Sequence, residues 1–460
     1  MNVIDRRSEL LTLAEHIVTL GTKQADQIEV LVQDSKETNA EVALGQMKTA
    51  VNIQEAGAAI RCVVDKRLGC AFTNRVDSSI LEETLHQAVA AAKTSTPDET
   101  WSNLPMKVSY GKVSKVWDEA TSTKSPSFFV DMLADMTQNV TNQSKDVIVG
   151  QAGIGGIYGW SAYANSNGVS VSDRSTRAYV YVGIVAPTPA GGMTPTIVEF
   201  DLSRSCNLDV EELVTRAIRY IELAKKPAKG ATGSETVIMI GNALGNLLYF
   251  SFFPSIRGEN VVRKKSVLAA RQDEQIASGN LSLIDDGLLS GGFRTSLFDD
   301  EGVPRQTTPI IKNGELRSFL WDTYWAKRYG GQSTGNAQRN LRTGVVGIQP
   351  STITVPAGKG TLEELIRDVD SGYLIKGLQG AHSSNQDTGD FSVVGNPCFR
   401  IEDGQLTGCV PGLMLAGNAF QLIQKVDKIG EDNREFFIPN SSFYSPSIRF
   451  TDLQVIAKGD

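Results

Sequence analysis

Two short turn signals constrain this fold more than any other feature. Asn313-Gly314 separates TPIIK from ELRSFLW, and Asp403-Gly404 separates CFRIE from QLTGCV. Asn-Gly and Asp-Gly tolerate positive φ at both central positions, which the tight hairpin turn demands. Two residues can only send the chain back beside itself, whereas parallel strands need a crossover of roughly a dozen residues or more. Each turn therefore joins two antiparallel strands. Its helical patterns stand apart from its strands, which predicts an α+β fold rather than a doubly wound parallel sheet.

The periodicities divide the chain into three segments: 1–95, 96–228 and 229–460. In the first, the opening twenty residues have the apolar spacing of an amphipathic helix. DQIEVLVQD, AEVALGQMKTAVNIQE and AAIRCVVDKRLGCAFTN alternate as strands do, with a turn at Asp65-Lys66-Arg67. SSILEETLHQAVAAAK follows at helical spacing, with Ser78 or Ser79 as the expected cap. This is a sheet-and-helix region of α/β type. TSTPDETWSNLP then breaks the pattern and reads as a linker.

The second segment predicts a helix in SPSFFVDMLADMTQNVTNQ, strands near 146–156, 158–164 and 177–187, and a helix in LDVEELVTRAIRYIELAKK. Its glycines at 150, 153, 155, 156 and 159 miss the G-x-G-x-x-G order, because Tyr158 stands where the last glycine belongs. Close-packed strands explain them better. The third segment is strand-rich, with a further helix expected in AGNAFQLIQKVDKI.

Composition excludes several functions. A net charge of −7, with Lys and Arg spread along the chain, leaves no basic stripe for nucleic acid. No apolar run approaches the roughly 20 residues of a membrane span, and the first twenty residues lack a signal-peptide core. Five cysteines, an odd number with no C-x-x-C, read as reduced thiols and predict a cytoplasmic protein.

Few residues carry obvious chemistry. The three histidines are His16 and His86, both within helical patterns, and His382 in the polar loop GAHSSNQDTGD. His382 is the one placed to meet a substrate or metal. Asp285-Asp286 and Asp299-Asp300-Glu301 are paired carboxylates that could share a proton or hold a hard cation. Each cluster adjoins a glycine, Gly287 or Gly302, where Asp commonly accepts from turn amides, and that role is the one expected. Gly331-Gln332-Ser333-Thr334-Gly335 fits G-x-S-x-G, but the nucleophile elbow requires a strand before it, and WDTYWAKRYG has helical spacing. A serine hydrolase using Ser333 with His382 is the remote reading.

The phrases of residues 272–339, QDEQIAS…LIDDGLL…FDDEGVP…KNGELRSFLWDTYWAKRYGGQSTGNAQR, resemble the C-terminal domain of the TldD/PmbA metallopeptidase family. The strand order closing in TN and the phrase Asn165-Ser166-Asn167-Gly168 extend the resemblance over nearly the whole chain. GAHSSNQDTGDFSVVGNPCFRIEDGQLTGCVPGLMLAGNAF is similar to the branch called PmbA or TldE. Metal-bearing members carry H-E-x-x-x-H on a helix before the segment that here reads KKSVLAARQDEQIAS, and a cysteine near the C-terminus. Counting back from Ser266, that slot holds Tyr249-Phe250-Ser251-Phe252-Phe253-Pro254, and GEDNREFFIPNSSFYSPS has no cysteine.

Zinc chemistry needs three protein ligands and an open position for water. The resemblance therefore implies a chain without catalytic, cofactor or metal residues, with zinc on a partner carrying H-E-x-x-x-H. It implies a paired chamber that degrades unfolded peptides or trims leader peptides. Asp299, Asp300, Asn336, Arg339 and His382 would order the domain or line its cleft. The aromatic run 249–253 is expected as core, or as a wall facing the partner. The alternative is a stand-alone homodimeric peptide-binding scaffold. The family's older label, modulator of DNA gyrase, finds no nucleic-acid feature here.

Overall fold

The computed structural model describes residues 3–189 and 191–458. Six antiparallel strands form the first sheet in the order β3-β2-β1-β4-β5-β6. They are β1 (Gln27–Ala43), β2 (Gln46–Val64), β3 (Arg67–Thr73), β4 (Ile148–Asn165), β5 (Ser170–Val185) and β6 (Ile197–Ser203). Strands from both sides of the break expected at residue 95 therefore share one sheet. The run AEVALGQMKTAVNIQE is not a single strand. Leu44 and Gly45, at φ 50° and 73°, turn the chain between β1 and β2. The two strands expected at 146–156 and 158–164 are one, β4, which shares its hydrogen bonds with β1 and β5.

Successive strand residues point to opposite faces, and here the two faces differ in kind. Ile28, Val30 and Val32 of β1 pack under the helices Arg7–Gly21 and Ser78–Thr94. Farther along the same face, Val180, Val182 and Ile184 of β5 meet the helices Pro126–Gln143 and Val210–Ala224. The opposite face carries Glu29, Leu31, Arg61 and Tyr163, and it meets the C-terminal half of the chain. Glycines keep β4 close to its neighbours: a Cβ on Gly156 would lie 2.7 Å from the Phe129 ring. Asp77 caps Ser78–Thr94 by accepting from the Ile80 amide, one residue before the serines expected to do so.

The C-terminal half is strand-rich, as the turn signals required. Asn313-Gly314 and Asp403-Gly404 both reverse the chain at positive φ, joining Lys312 to Glu315 and Glu402 to Gln405. The helix expected in AGNAFQLIQKVDKI shrinks to Ala419–Leu422 and a short 3-10 turn. Val426–Ile429 leaves it and pairs with Ile448–Ile456. Ala419, Leu422, Ile423 and Val426 are buried at helical spacing, so the pattern is satisfied while sheet pairing sets the backbone. No described helix is long and apolar enough to cross a membrane. All five cysteines are free.

Candidate functional site

The slot 249–254 belongs to the core. The helix Gly241–Ser251 runs into the 3-10 turn Phe253–Ile256. Ser251, Phe252 and Phe253 have no exposed surface, and Tyr249 keeps 9%. Phe252 packs against Phe420 at 5.6 Å between ring centroids, and Phe253 against Phe443 at 6.4 Å. Phe250 is half-buried beside Tyr249, their rings edge to face at 5.0 Å. Pro254 is buried and its carbonyl accepts from Asn260 Nδ2 at 2.8 Å. These side chains present no imidazole, thiolate or carboxylate, so the segment does not fit a zinc ion. Among the described residues, no three His, Cys, Asp or Glu side chains converge as ligands would.

Charged chemistry concentrates instead where the helix-free face of the first sheet meets the C-terminal half. Glu29 and Arg61 stand directly opposite each other in the β1–β2 ladder. Glu29 is fully buried, pairs with Arg61 at 2.7 Å and with Arg339, and accepts from the Tyr163 hydroxyl at 2.6 Å. Arg61 also donates to Glu301 at 2.9 Å, while the other Glu301 oxygen accepts from the Thr323 amide at 2.9 Å. Burial alone would push the Glu29 carboxyl up. The two guanidiniums and the tyrosine hydroxyl outweigh it and hold that carboxyl below its ordinary value. The partnership raises Arg339 against its own desolvation, and burial beside Glu29 raises Tyr163.

Asp299 lies behind this network. Its oxygens accept from the amides of Glu301 at 3.0 Å, Val303 at 2.9 Å and Ala337 at 2.9 Å, the turn role expected of it. Burial still pushes it up to about 7, with Arg305 opposing and Glu301 assisting. Asp300 accepts from the Arg339 amide at 2.8 Å. Asp286 accepts from the Leu288 amide, again as a turn residue. Asp285 departs from that expectation: it is a buried strand residue that accepts from Asn336 Nδ2 at 2.5 Å and from the Ser351 amide at 2.7 Å. Asn336 is fully buried, which makes it an ordering group for this strand.

The structure thus gathers Asp299, Asp300, Asn336 and Arg339 and leaves His382 apart, exposed on the 3-10 turn Ala381–Ser383. Ser333 follows the helix Thr323–Tyr329, whereas an elbow needs a strand there. Its hydroxyl donates to the Trp321 carbonyl at 3.1 Å and accepts from the Gly335 amide at 3.1 Å, with no imidazole bonded to it. His16 and His86 sit on helix surfaces beside Glu82 and Gln24.

Between the two halves opens a cleft of about 700 Å³. Asp300 and Arg339 line it together with Asp173, Arg177, Arg294 and Arg305. Sequence reading missed Glu29, Arg61 and Tyr163. Their one signal was a charge or hydroxyl inside otherwise apolar runs, EVLV, IRCVV and AYAN.

Comparison with known proteins follows the same outline. The chain matches the PmbA/TldA metallopeptidase domain 1 over residues 28–93, the central domain over 119–225 and the C-terminal domain over 232–457. It superposes on TldE from Thermococcus kodakarensis with a TM-score of 0.93, at 33% identity over 97% of this chain and 100% of that one. It is 24% identical to the metalloprotease PmbA homologue of Haemophilus influenzae over 93% of this chain and 92% of that protein. It is 22% identical to a metalloprotease TldD homologue of Buchnera aphidicola over 82% and 80%.

Proposed function

The chain belongs to the PmbA/TldD metallopeptidase family, and on that premise we propose that it is the non-catalytic subunit of a two-chain zinc peptidase. One observation carries the reading: the place that the resemblance assigns to the metal helix is filled by Phe252 and Phe253, fully buried and packed on Phe420 and Phe443. A site that must admit zinc, water and a peptide cannot coexist with rings that exclude solvent. The zinc and its hydrolytic water then lie on a cytoplasmic partner carrying H-E-x-x-x-H. This chain completes the wall around an unfolded or leader peptide held largely by its backbone.

Native mass spectrometry of the chain captured from its own source lysate, with metal read from the same species, tests this. A heterodimer with a second chain and one zinc supports it. Stoichiometric zinc on the isolated chain, with chelator-sensitive peptide cleavage, overturns it. A metal-free homodimer gives the place instead to the peptide-binding scaffold.

A further inference from the structure

The cleft between the first sheet and the C-terminal half holds guanidiniums that no carboxylate bonds directly. Arg177 projects from β5, on the face away from the helices, and lines the cleft beside Arg294 and Arg305. Arg177 and Arg294 are half-buried, and neither forms an ion pair or a side-chain hydrogen bond with the described residues. Each instead rests against a ring: Arg177 over Phe293 at 5.9 Å and Arg294 over Phe437 at 5.7 Å. Nε of Arg294 is buried without a partner. Arg305 spends its donors on the Gly335 carbonyl at 2.6 Å and the Ser296 hydroxyl at 3.3 Å, so it too lacks a bonded carboxylate.

The carboxylates on the same walls are engaged elsewhere. Asp173 accepts from the Leu297 amide at 2.7 Å and the Arg174 amide at 2.8 Å, and Asp300 accepts from the Arg339 amide. Glu435, the nearby acid behind Arg294, accepts from the Phe293 amide at 3.0 Å and the Ser442 hydroxyl at 2.6 Å.

Burial pushes Arg177 down to about 10, with Arg204 adding repulsion and Glu37, which accepts from Asn39 and the Tyr179 hydroxyl, opposing it. Arg294 is likewise brought to about 10 by burial, then by Arg177 and Arg305, against the pull of Glu435 and Asp300. Both remain charged at neutral pH. Cations held together away from water are costly without an opposing charge. A guanidinium resting over a ring spends no N–H donor there, so its donors stay available to a planar or tetrahedral oxyanion.

We propose that this cleft binds a small ligand carrying two or more oxyanion groups, gripped by Arg177 and Arg294 with Arg305 behind them. The volume of about 700 Å³ lies within the roughly 300–1,000 Å³ of small-molecule sites and exceeds what a lone phosphate fills. Carboxylates and phosphates share the required chemistry, and the experiment separates them.

Isothermal titration calorimetry of the full chain is run with pyrophosphate and, separately, with citrate, each against sodium chloride of equal ionic strength. The expected result is one-site binding of at least one of them, weakened about ten-fold or more by Arg177→Gln or Arg294→Gln. Arg177→Lys, which keeps the charge and loses the fork, falls between. Heat from pyrophosphate alone assigns a phosphorylated ligand, and heat from citrate alone a polycarboxylate. Wild-type protein that binds neither, or binding unchanged in folded variants, overturns the proposal. None of these outcomes depends on whether the chain is a peptidase subunit.

Discussion

Arg61, in the second strand of the chain, donates to Glu301 at 2.9 Å across 240 residues of sequence. Through Glu29 the same guanidinium is tied to Arg339, so a single buried network fastens the N-terminal sheet to the C-terminal half. Taking such charges out of water is repaid only while every partner remains.

Glu29→Gln is therefore expected to cost about 3–5 kcal/mol, because it leaves the buried Arg339 guanidinium without a carboxylate and removes one of the two that Arg61 shares. Urea denaturation of the variant measures the loss. A double-mutant cycle on Arg61→Met and Glu301→Gln should give a coupling energy well above zero, since the two share one network. Additive effects would remove the claim that they act as one unit.

Asp299 sets a pH dependence of definite sign. Its folded value of about 7 lies above its ordinary value of 3.8. Its contribution is thus fully present below about 4 and is lost as pH rises through about 7, because the folded state holds the proton more tightly. Asp299→Asn loses an amide acceptor at every pH but does not ionise. The melting-temperature deficit of this variant should therefore shrink between pH 5 and pH 8. A deficit that grows over that interval would contradict the argument.

Phe253→Ala should destabilise by about 3–5 kcal/mol, the cost of emptying a fully buried aromatic site. If 249–254 is structural core, metal content will not change alongside the lost stability. Calorimetry together with elemental analysis reads both.

Gly258 leaves no room for a side chain. A Cβ placed there would lie 1.9 Å from the Trp321 indole. Gly258→Ala should cost about 1–3 kcal/mol through forced repacking, visible as a blue or red shift in tryptophan emission together with a lower denaturation midpoint. An unchanged midpoint would mean that the indole moves freely.

Turn chemistry made part of this fold legible. Asn-Gly and Asp-Gly carry their backbone preference in the residues themselves, so both hairpins could be read without a structure. Leu44-Gly45 makes a similar reversal with leucine at φ 50°, a choice that local preference argues against, and two strands therefore read as one run. The stretch 416–429 has helical spacing, yet its last four residues, Val426–Ile429, became a strand because Ile448–Ile456 was there to pair with. Partners distant in sequence were the hardest to see. Asn336 meets Asp285 across 51 residues, and nothing in either neighbourhood announces the other. Asp299 was legible as a turn residue because the amides that donate to it lie two and four positions away. The unpaired state of Arg177 and Arg294 has no sequence signal at all, since it depends on which carboxylates are spent elsewhere.

The sheet shared by the first two segments has a consequence for any attempt to divide this molecule. Its helix-covered face is apolar and sealed, but the other face ends in Glu29, Arg61 and Tyr163, whose counterparts Glu301 and Arg339 arrive late in the chain. A ribosome that has released only the first two hundred residues has therefore made a sheet whose Glu29–Arg61 pair lacks its outer partners. Until those partners emerge, the pair must stay wet, so the N-terminal layer can collapse onto its helices early while its second face closes only once the chain has passed Arg339.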